Sequence, residues 1–155
     1  MEGILLDRPQ GLLLRGQALF FSGVKADSDG QAQKSRTYPA HSLLKKRQVS
    51  GDPGQQRLQM QQVLIENLVQ TVQEKQYAGV DVDFEYILPE DREGYAAFVG
   101  NLRERMNPLG YKVSVALAPK ISAEQAGLLY EGMDYGLLGA NADSVFLMTY
   151  EWGYT

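Results

Sequence analysis

A chain of 155 residues with 44% hydrophobic and 22% charged residues is long enough for one domain with a real core, and its composition is that of a globular protein rather than a disordered one. A net charge of −4 without a basic stripe argues against nucleic acid as a partner, and the absence of cysteine excludes disulfides, thiolate chemistry and Cys-based zinc sites. Charge is unevenly placed: residues 1–50 hold 8 Lys/Arg against 4 Asp/Glu, whereas residues 51–155 hold 7 against 15, so the chain changes character near residue 50.

The first 50 residues carry little periodic pattern. Short apolar patches at 4–6 and 12–14 are interrupted by Asp7, Arg8 and Pro9, so no uninterrupted apolar core of signal-peptide length forms, and no later run is long enough to span a membrane. Residues 22–48, rich in Ser, Gly, Gln, Lys and Ala, read as loop or linker. His41, the only histidine, and the basic run Lys45, Lys46, Arg47 fall in or beside this segment and read as solvated surface.

Downstream the signals become regular. Asp52 followed by Pro53, with Gln55 three residues after the Asp, resembles an N-cap, a proline at the first helical position and a capping-box partner. Met60, Val63, Leu64, Leu68 and Val72 then recur at helical spacing up to about Gln76. A strand over 80–87 follows, then a second helix opened by Pro89, with Glu90, Asp91 and Glu93 in its first turn and an apolar stripe of Phe98, Val99, Leu102 and Met106. Pro108 and Gly110 end it. A second alternating strand covers 112–118, with Val113, Val115 and Leu117 on one face and only Ser114, Ala116 and Ala118 on the other, leaving room there for a ligand or for bulky neighbours. Ser122 with Gln125 predicts a short helix, and a third strand runs over 144–151 after the glycines at 136 and 139. Strand starts recur about every 32 residues, the repeat of βαβ units in a parallel sheet. An open doubly wound sheet and a (β/α)8 barrel both fit, and carboxylates at the C-terminal end of a strand favour the barrel.

Those carboxylates are the most telling feature. In an extended chain Val80, Val82 and Phe84 share one face while Asp81, Asp83 and Glu85 share the other. Same-face neighbours lie only about 7 Å apart along a strand, so three ionised carboxylates repel and one should hold its proton unusually well. A protonated acid beside ionised ones is what cleavage of a glycosidic bond requires. The same alternation also describes a half-solvated antiparallel strand, but like charges side by side destabilise a sheet unless something is gained from them. A third reading makes Asp81, Asp83 and Glu85 a Mg²⁺ or Mn²⁺ cluster for phosphoryl transfer, although no phosphate-cradling glycine loop accompanies them.

From about residue 52 onward the sequence resembles glycoside hydrolase family 18, the chitinase-like (β/α)8 hydrolases, and within it the spore-germination and spore-cortex-lytic glycosidases of Gram-positive spore formers. The family signature on the fourth barrel strand is D-x-x-D-x-D-x-E, and Ala78, Asp81, Asp83 and Glu85 occupy its four positions, the first Asp being replaced. Residues 115–119, Val-Ala-Leu-Ala-Pro, look like the fifth strand, and Met148, Thr149, Tyr150 and Glu151 look like the sixth-strand motif, usually M-x-Y-D. The resemblance implies an α/β fold, a partial (β/α)8 TIM barrel with strands four to six recognisable, in a chain that is a fragment or truncated form of such an enzyme. It implies a retaining, substrate-assisted hydrolysis of β-linked N-acetylglucosamine polymers such as spore-cortex peptidoglycan or chitin.

In that scheme Glu85 is the general acid and later the base, Asp83 holds the N-acetyl group and Tyr150 hydrogen-bonds its carbonyl oxygen. Asp81 acts electrostatically behind Asp83, and Met148 and Glu151 border the sugar subsite. No cofactor and no metal is implied. The partner is a polysaccharide containing N-acetylglucosamine, the location the spore envelope or cell wall, and the unpaired strand edges of an incomplete barrel predict self-association. Trp152 and Tyr154 are candidate sugar-stacking aromatics. A catalytically inactive carbohydrate-binding remnant is the alternative.

Overall fold

The computed structural model describes the backbone of residues 18–21, 36–39 and 53–151, and the side chains of Gln55 and of residues 58–150. Among the described residues five strands form one mixed sheet in the order β2-β1-β3-β4-β5: β1 is Ala18–Phe21, β2 Arg36–Pro39, β3 Gly79–Asp83, β4 Lys112–Leu117 and β5 Ser144–Leu147. The strands β3, β4 and β5 run parallel, with Val82 beside Val115 and Val115 beside Val145, as the 32-residue repeat requires. On the other side β1 pairs antiparallel with both β3 and β2. The segment read from composition as a loop therefore supplies a strand, because backbone hydrogen bonding to an open sheet edge does not need an alternating side-chain pattern.

Among the described residues three α-helices accompany the sheet: α1 Pro53–Lys75, α2 Arg92–Met106 and α3 Tyr135–Asn141. The predicted stripe of α1 is buried at Leu64, Leu68 and Val72, joined by Ile65 and Val69. Its end is a Schellman motif. Gln76 takes a left-handed φ of 57°, its N–H reaches the Gln73 carbonyl, the Tyr77 N–H reaches that of Val72 at 3.0 Å, and the Tyr77 ring is buried. The proposed Asp52 cap lies outside the described residues. Pro89 opens a single 3₁₀ turn, Pro89–Asp91, before α2 begins.

The core lies between β3 and β4 and the helices. Val80, Val82, Phe84, Val113 and Val115 are fully buried against Tyr95, Phe98, Val99 and Leu102 of α2. Phe84 stacks on Phe98 at 5.5 Å and on Tyr95 at 5.6 Å between ring centroids. Burying such a ring contributes about 2–3 kcal/mol from area alone, with more from the ring geometry. Gly79 stands where β3 meets β4, and a Cβ there would lie 2.1 Å from the Lys112 carbonyl oxygen, so no larger residue fits.

Two predicted elements differ. Residues 121–134 form turns rather than a helix: Gln125 does interact with the 121–122 backbone, its side-chain oxygen accepting from Ile121 N at 2.8 Å, but Gly127 at φ 128° breaks the helical path. The helix forms later, where the Asp134 side chain accepts from Leu137 N at 2.9 Å and caps α3 through the glycine-bearing stretch. The strand over 80–87 stops at Asp83, and Tyr86 adopts a left-handed φ of 56°. The final strand likewise stops at Leu147 and is followed by a 3₁₀ turn, Thr149–Glu151. All four side chains of β5 are exposed, including Phe146 at 53%.

Candidate active site

Alternation along β3 does separate its side chains. Val80 and Val82 are fully buried on the helix side, while Asp81 and Asp83 on the opposite face are half-buried. Glu85, two residues past the last strand position, is also half-buried, and the neighbouring Phe84 anchors this extension by its fully buried ring. The exposed Tyr86 in its left-handed conformation turns the chain away immediately afterwards. Glu85 thus sits at the C-terminal mouth of the parallel strands, next to the point where the backbone reverses.

The parallel register sets Ser114 beside Asp81, and the Ser114 hydroxyl donates to Asp81 Oδ1 at 2.6 Å. Burial pushes the Asp81 carboxyl above the ordinary aspartate range, and the serine bond opposes that rise without cancelling it. The face expected to leave open space is partly filled: Ala116 and Ala118 are buried, and only Ser114 is half-exposed.

Sequence reasoning missed Ser114 as a partner of Asp81 and missed Tyr95 altogether. Tyr95 is fully buried on α2, three residues before Phe98, so the helical stripe was the available signal. Its phenol is driven far upward by burial first, with the charges of Asp83 and Asp81 adding to the effect. The ring remains a neutral hydroxyl beneath the carboxylate strand. Ser114 was signalled only by register, since a polar residue opposite Asp81 becomes meaningful once the strands are known to pair.

The remaining candidates come from the end of β5. Met148 is buried, with its N–H donating to the Leu117 carbonyl at 3.0 Å, which ties the end of β5 to the end of β4. Tyr150 follows on the 3₁₀ turn and is 66% exposed. Adjacent strands lie about 4.8 Å apart, so the ends of β3 and β5, separated by β4, stand about 10 Å from each other. Glu151 closes the same turn, with its side chain outside the described residues, as are Trp152, Tyr154, His41 and the basic run 45–47. Among the described residues no group of three or more His, Cys, Asp or Glu converges as a metal-ligand set would.

The family model for glycosyl hydrolases family 18 matches residues 51–154, the region that contains all three parallel strands and these carboxylates. The chain belongs to glycosyl hydrolase family 18. It is 42% identical over 92 residues to the cortical fragment-lytic enzyme of Bacillus subtilis (strain 168), covering 59% of this chain and 21% of that protein. The spore cortex-lytic enzyme SleL of Bacillus megaterium QM B1551 superposes with a TM-score of 0.59 at 39% identity, over 63% of this chain and 23% of that one. A class V chitinase from Pseudomonas fluorescens Pf-5 gives 0.55 at 28% identity, over 71% and 29%. This family 18 chain spans about a fifth of the length of the curated relatives it matches.

Proposed function

We propose that this family 18 chain carries strands four to six of a (β/α)8 barrel that hydrolyses β-linked N-acetylglucosamine polymers, spore-cortex peptidoglycan or a chitin-like glycan, by retaining, substrate-assisted catalysis. The observation that carries the reading is the carboxylate row itself: Asp81 and Asp83 on one face of β3, Asp81 held by Ser114, and Glu85 at the mouth of the parallel strands. Active sites of parallel barrels gather at that end. The relatives named for cortex-lytic activity support the substrate class.

In this mechanism Glu85 protonates the glycosidic oxygen as the bond to the anomeric carbon breaks. The substrate's own N-acetyl carbonyl oxygen attacks that carbon, and Asp83 accepts from the amide N–H and stabilises the positive oxazolinium ring. Tyr150, reaching across from the end of β5, donates to the carbonyl oxygen and fixes its approach. Glu85, now a carboxylate, then takes a proton from water as it opens the ring, so the two inversions give net retention. Asp81 steadies Asp83 from behind, and Met148 and Glu151 border the sugar. Because the chain covers about a fifth of its relatives, the reading assigns it the central part of a longer barrel. The exposed edge of β5 is then a place where further strands, or a second copy, would pair.

The test is Glu85→Gln. Release of a chromogenic leaving group from an N-acetylglucosaminide oligomer should fall at least about 100-fold, while oligomer affinity is retained, since the amide keeps the shape and loses only the transferable proton. Proton NMR of the first product should show the β-anomer. Undiminished hydrolysis by the variant, or an α-anomer, overturns the proposal.

A further inference from the structure

At the same end of the sheet as Glu85, the segments leaving β3 and β4 enclose a cavity of about 330 Å³ lined by Arg92, Lys120, Ser122, Met133, Asp134 and Tyr135 among others. Its walls are held at fixed separation. Gly132 packs so closely on the chain after β3 that a Cβ would fall 2.0 Å from the Ile87 carbonyl oxygen, which locks the β4–α3 loop onto the β3–α2 connection. Arg92 then reaches across and donates through both Nε, at 3.1 Å, and Nη2 to the Glu131 carbonyl. Lys120 Nζ donates to the Met133 carbonyl, and the Tyr135 hydroxyl ties the Lys120 N–H to the Ala118 carbonyl.

Both cations are thus fixed by backbone carbonyls, and among the described residues neither has a carboxylate within ion-pair distance. The side chains of two nearby acids accept from backbone N–H groups, although Asp134 itself lines the cavity. Glu131 turns its side chain back to accept from Gly127 N at 2.9 Å, and Asp134 accepts from Leu137 N as the cap of α3. Lys120 is held below the ordinary lysine range by burial first and by Arg92 second, with Asp134 and Glu124 pulling the other way without restoring it. Two like charges in one cavity, with donors to spare and, among the described residues, no ion pair to either, leave a site that can take an anion.

We infer that this cavity is a subsite for a carboxylate carried by the glycan, with Lys120 and Arg92 as its two donors. The inference rests on the glycosidase reading for the glycan and on the cavity for the charge. The glycan implied is an acidic one, a polymer of N-acetylated amino sugars in which some rings bear a carboxylate substituent. Anchoring that substituent beside the mouth of the parallel strands would set which ring meets Glu85, so the pair would be specificity-determining. A cavity of about 330 Å³ has room for a short carboxylated side group or one ring.

The test compares two oligomers of equal length, one of N-acetylglucosamine alone and one whose alternate rings carry an O-lactyl carboxylate. Titrations use the full chain with Glu85→Gln, so that no turnover occurs. The carboxylated oligomer should bind about tenfold or more tightly than the neutral one, as a charge-assisted hydrogen bond provides. Lys120→Gln should bring that ratio toward one, and Lys120→Arg should recover most of it. Inorganic phosphate at millimolar concentration should compete only weakly. A ratio near one in the chain with Lys120 intact, a ratio unmoved by Lys120→Gln, or phosphate competing as well as the carboxylated oligomer would each overturn the inference. Failure of the hydrolysis test with both oligomers, alongside an intact ratio, would remove the glycosidase reading and leave the subsite standing.

Discussion

Ser114→Ala isolates the one hydrogen bond that joins the carboxylate row to the neighbouring strand. The wild-type hydroxyl donates to Asp81 Oδ1 at 2.6 Å and lowers a carboxyl that burial has raised. A hydrogen bond to a charged acceptor contributes about 1.5–3 kcal/mol, and the low end applies because both side chains are half-buried. Without that bond the variant's Asp81 should titrate higher than the parent's. A carboxyl whose folded value lies above its unfolded value contributes stability that is fully present below the unfolded value and is lost as pH rises through the folded one. The variant and the parent should therefore be close in stability at about pH 3, where Asp81 is protonated in both states, and should diverge to about 1.5 kcal/mol at about pH 7. Urea unfolding at the two pH values measures the difference, and ¹³C NMR of the Asp81 carboxyl follows its titration directly. An equal stability loss at both pH values, or an Asp81 titration that stays put or moves down, would refute the reasoning.

Phe84→Ala removes a ring stacked on both Tyr95 and Phe98 and should cost about 3–5 kcal/mol, read as a lowered urea midpoint at unchanged slope. Gln76→Gly relieves a left-handed residue at the end of α1 and should stabilise by roughly 0.5–1 kcal/mol in the same assay, whereas Gln76→Val should destabilise. Asp143 is partly buried, which alone would raise it, but Val113 N–H at 2.8 Å, the Asn107 amide at 3.1 Å, Lys112 and Arg103 together hold its carboxyl below the usual range. Its contribution is present above the unfolded aspartate value and lost as pH falls through the folded one, the opposite sense to Asp81. Asp143→Ala should therefore destabilise by about 2–3 kcal/mol at neutral pH and by clearly less at about pH 2, measured by thermal unfolding across pH.

Much of the architecture was written in local patterns. The α1 stripe, the α2 stripe and the 32-residue recurrence of strands depend on periodicity alone, and periodicity survives folding because one face of each element must be buried whatever its neighbours are. The family motif was equally legible, since Asp81, Asp83 and Glu85 are consecutive same-face positions. Less visible was where elements stop. The β3 strand ends at Asp83 because the chain turns at Tyr86, and α3 starts at Tyr135 because Asp134 caps it, whereas the equally cap-like Ser122 and Gln125 pair is stopped by Gly127.

By itself, then, the sequence determined the faces: which side of each helix and strand seeks the core, and that Asp81 and Asp83 share the other side of β3 with Glu85 just past its end. Partners were decided only by the tertiary structure. Pairing β4 in parallel register puts Ser114 on Asp81, packing α2 beneath β3 brings Tyr95 under Phe84, and the close approach of Gly132 to Ile87 sets Arg92 and Lys120 around one cavity. The antiparallel entry of β1 beside β3 is of the same kind. Side-chain periodicity is a property of a few neighbouring residues, while register and loop apposition join residues tens of positions apart, and the free energy that selects them exists only once the elements have packed.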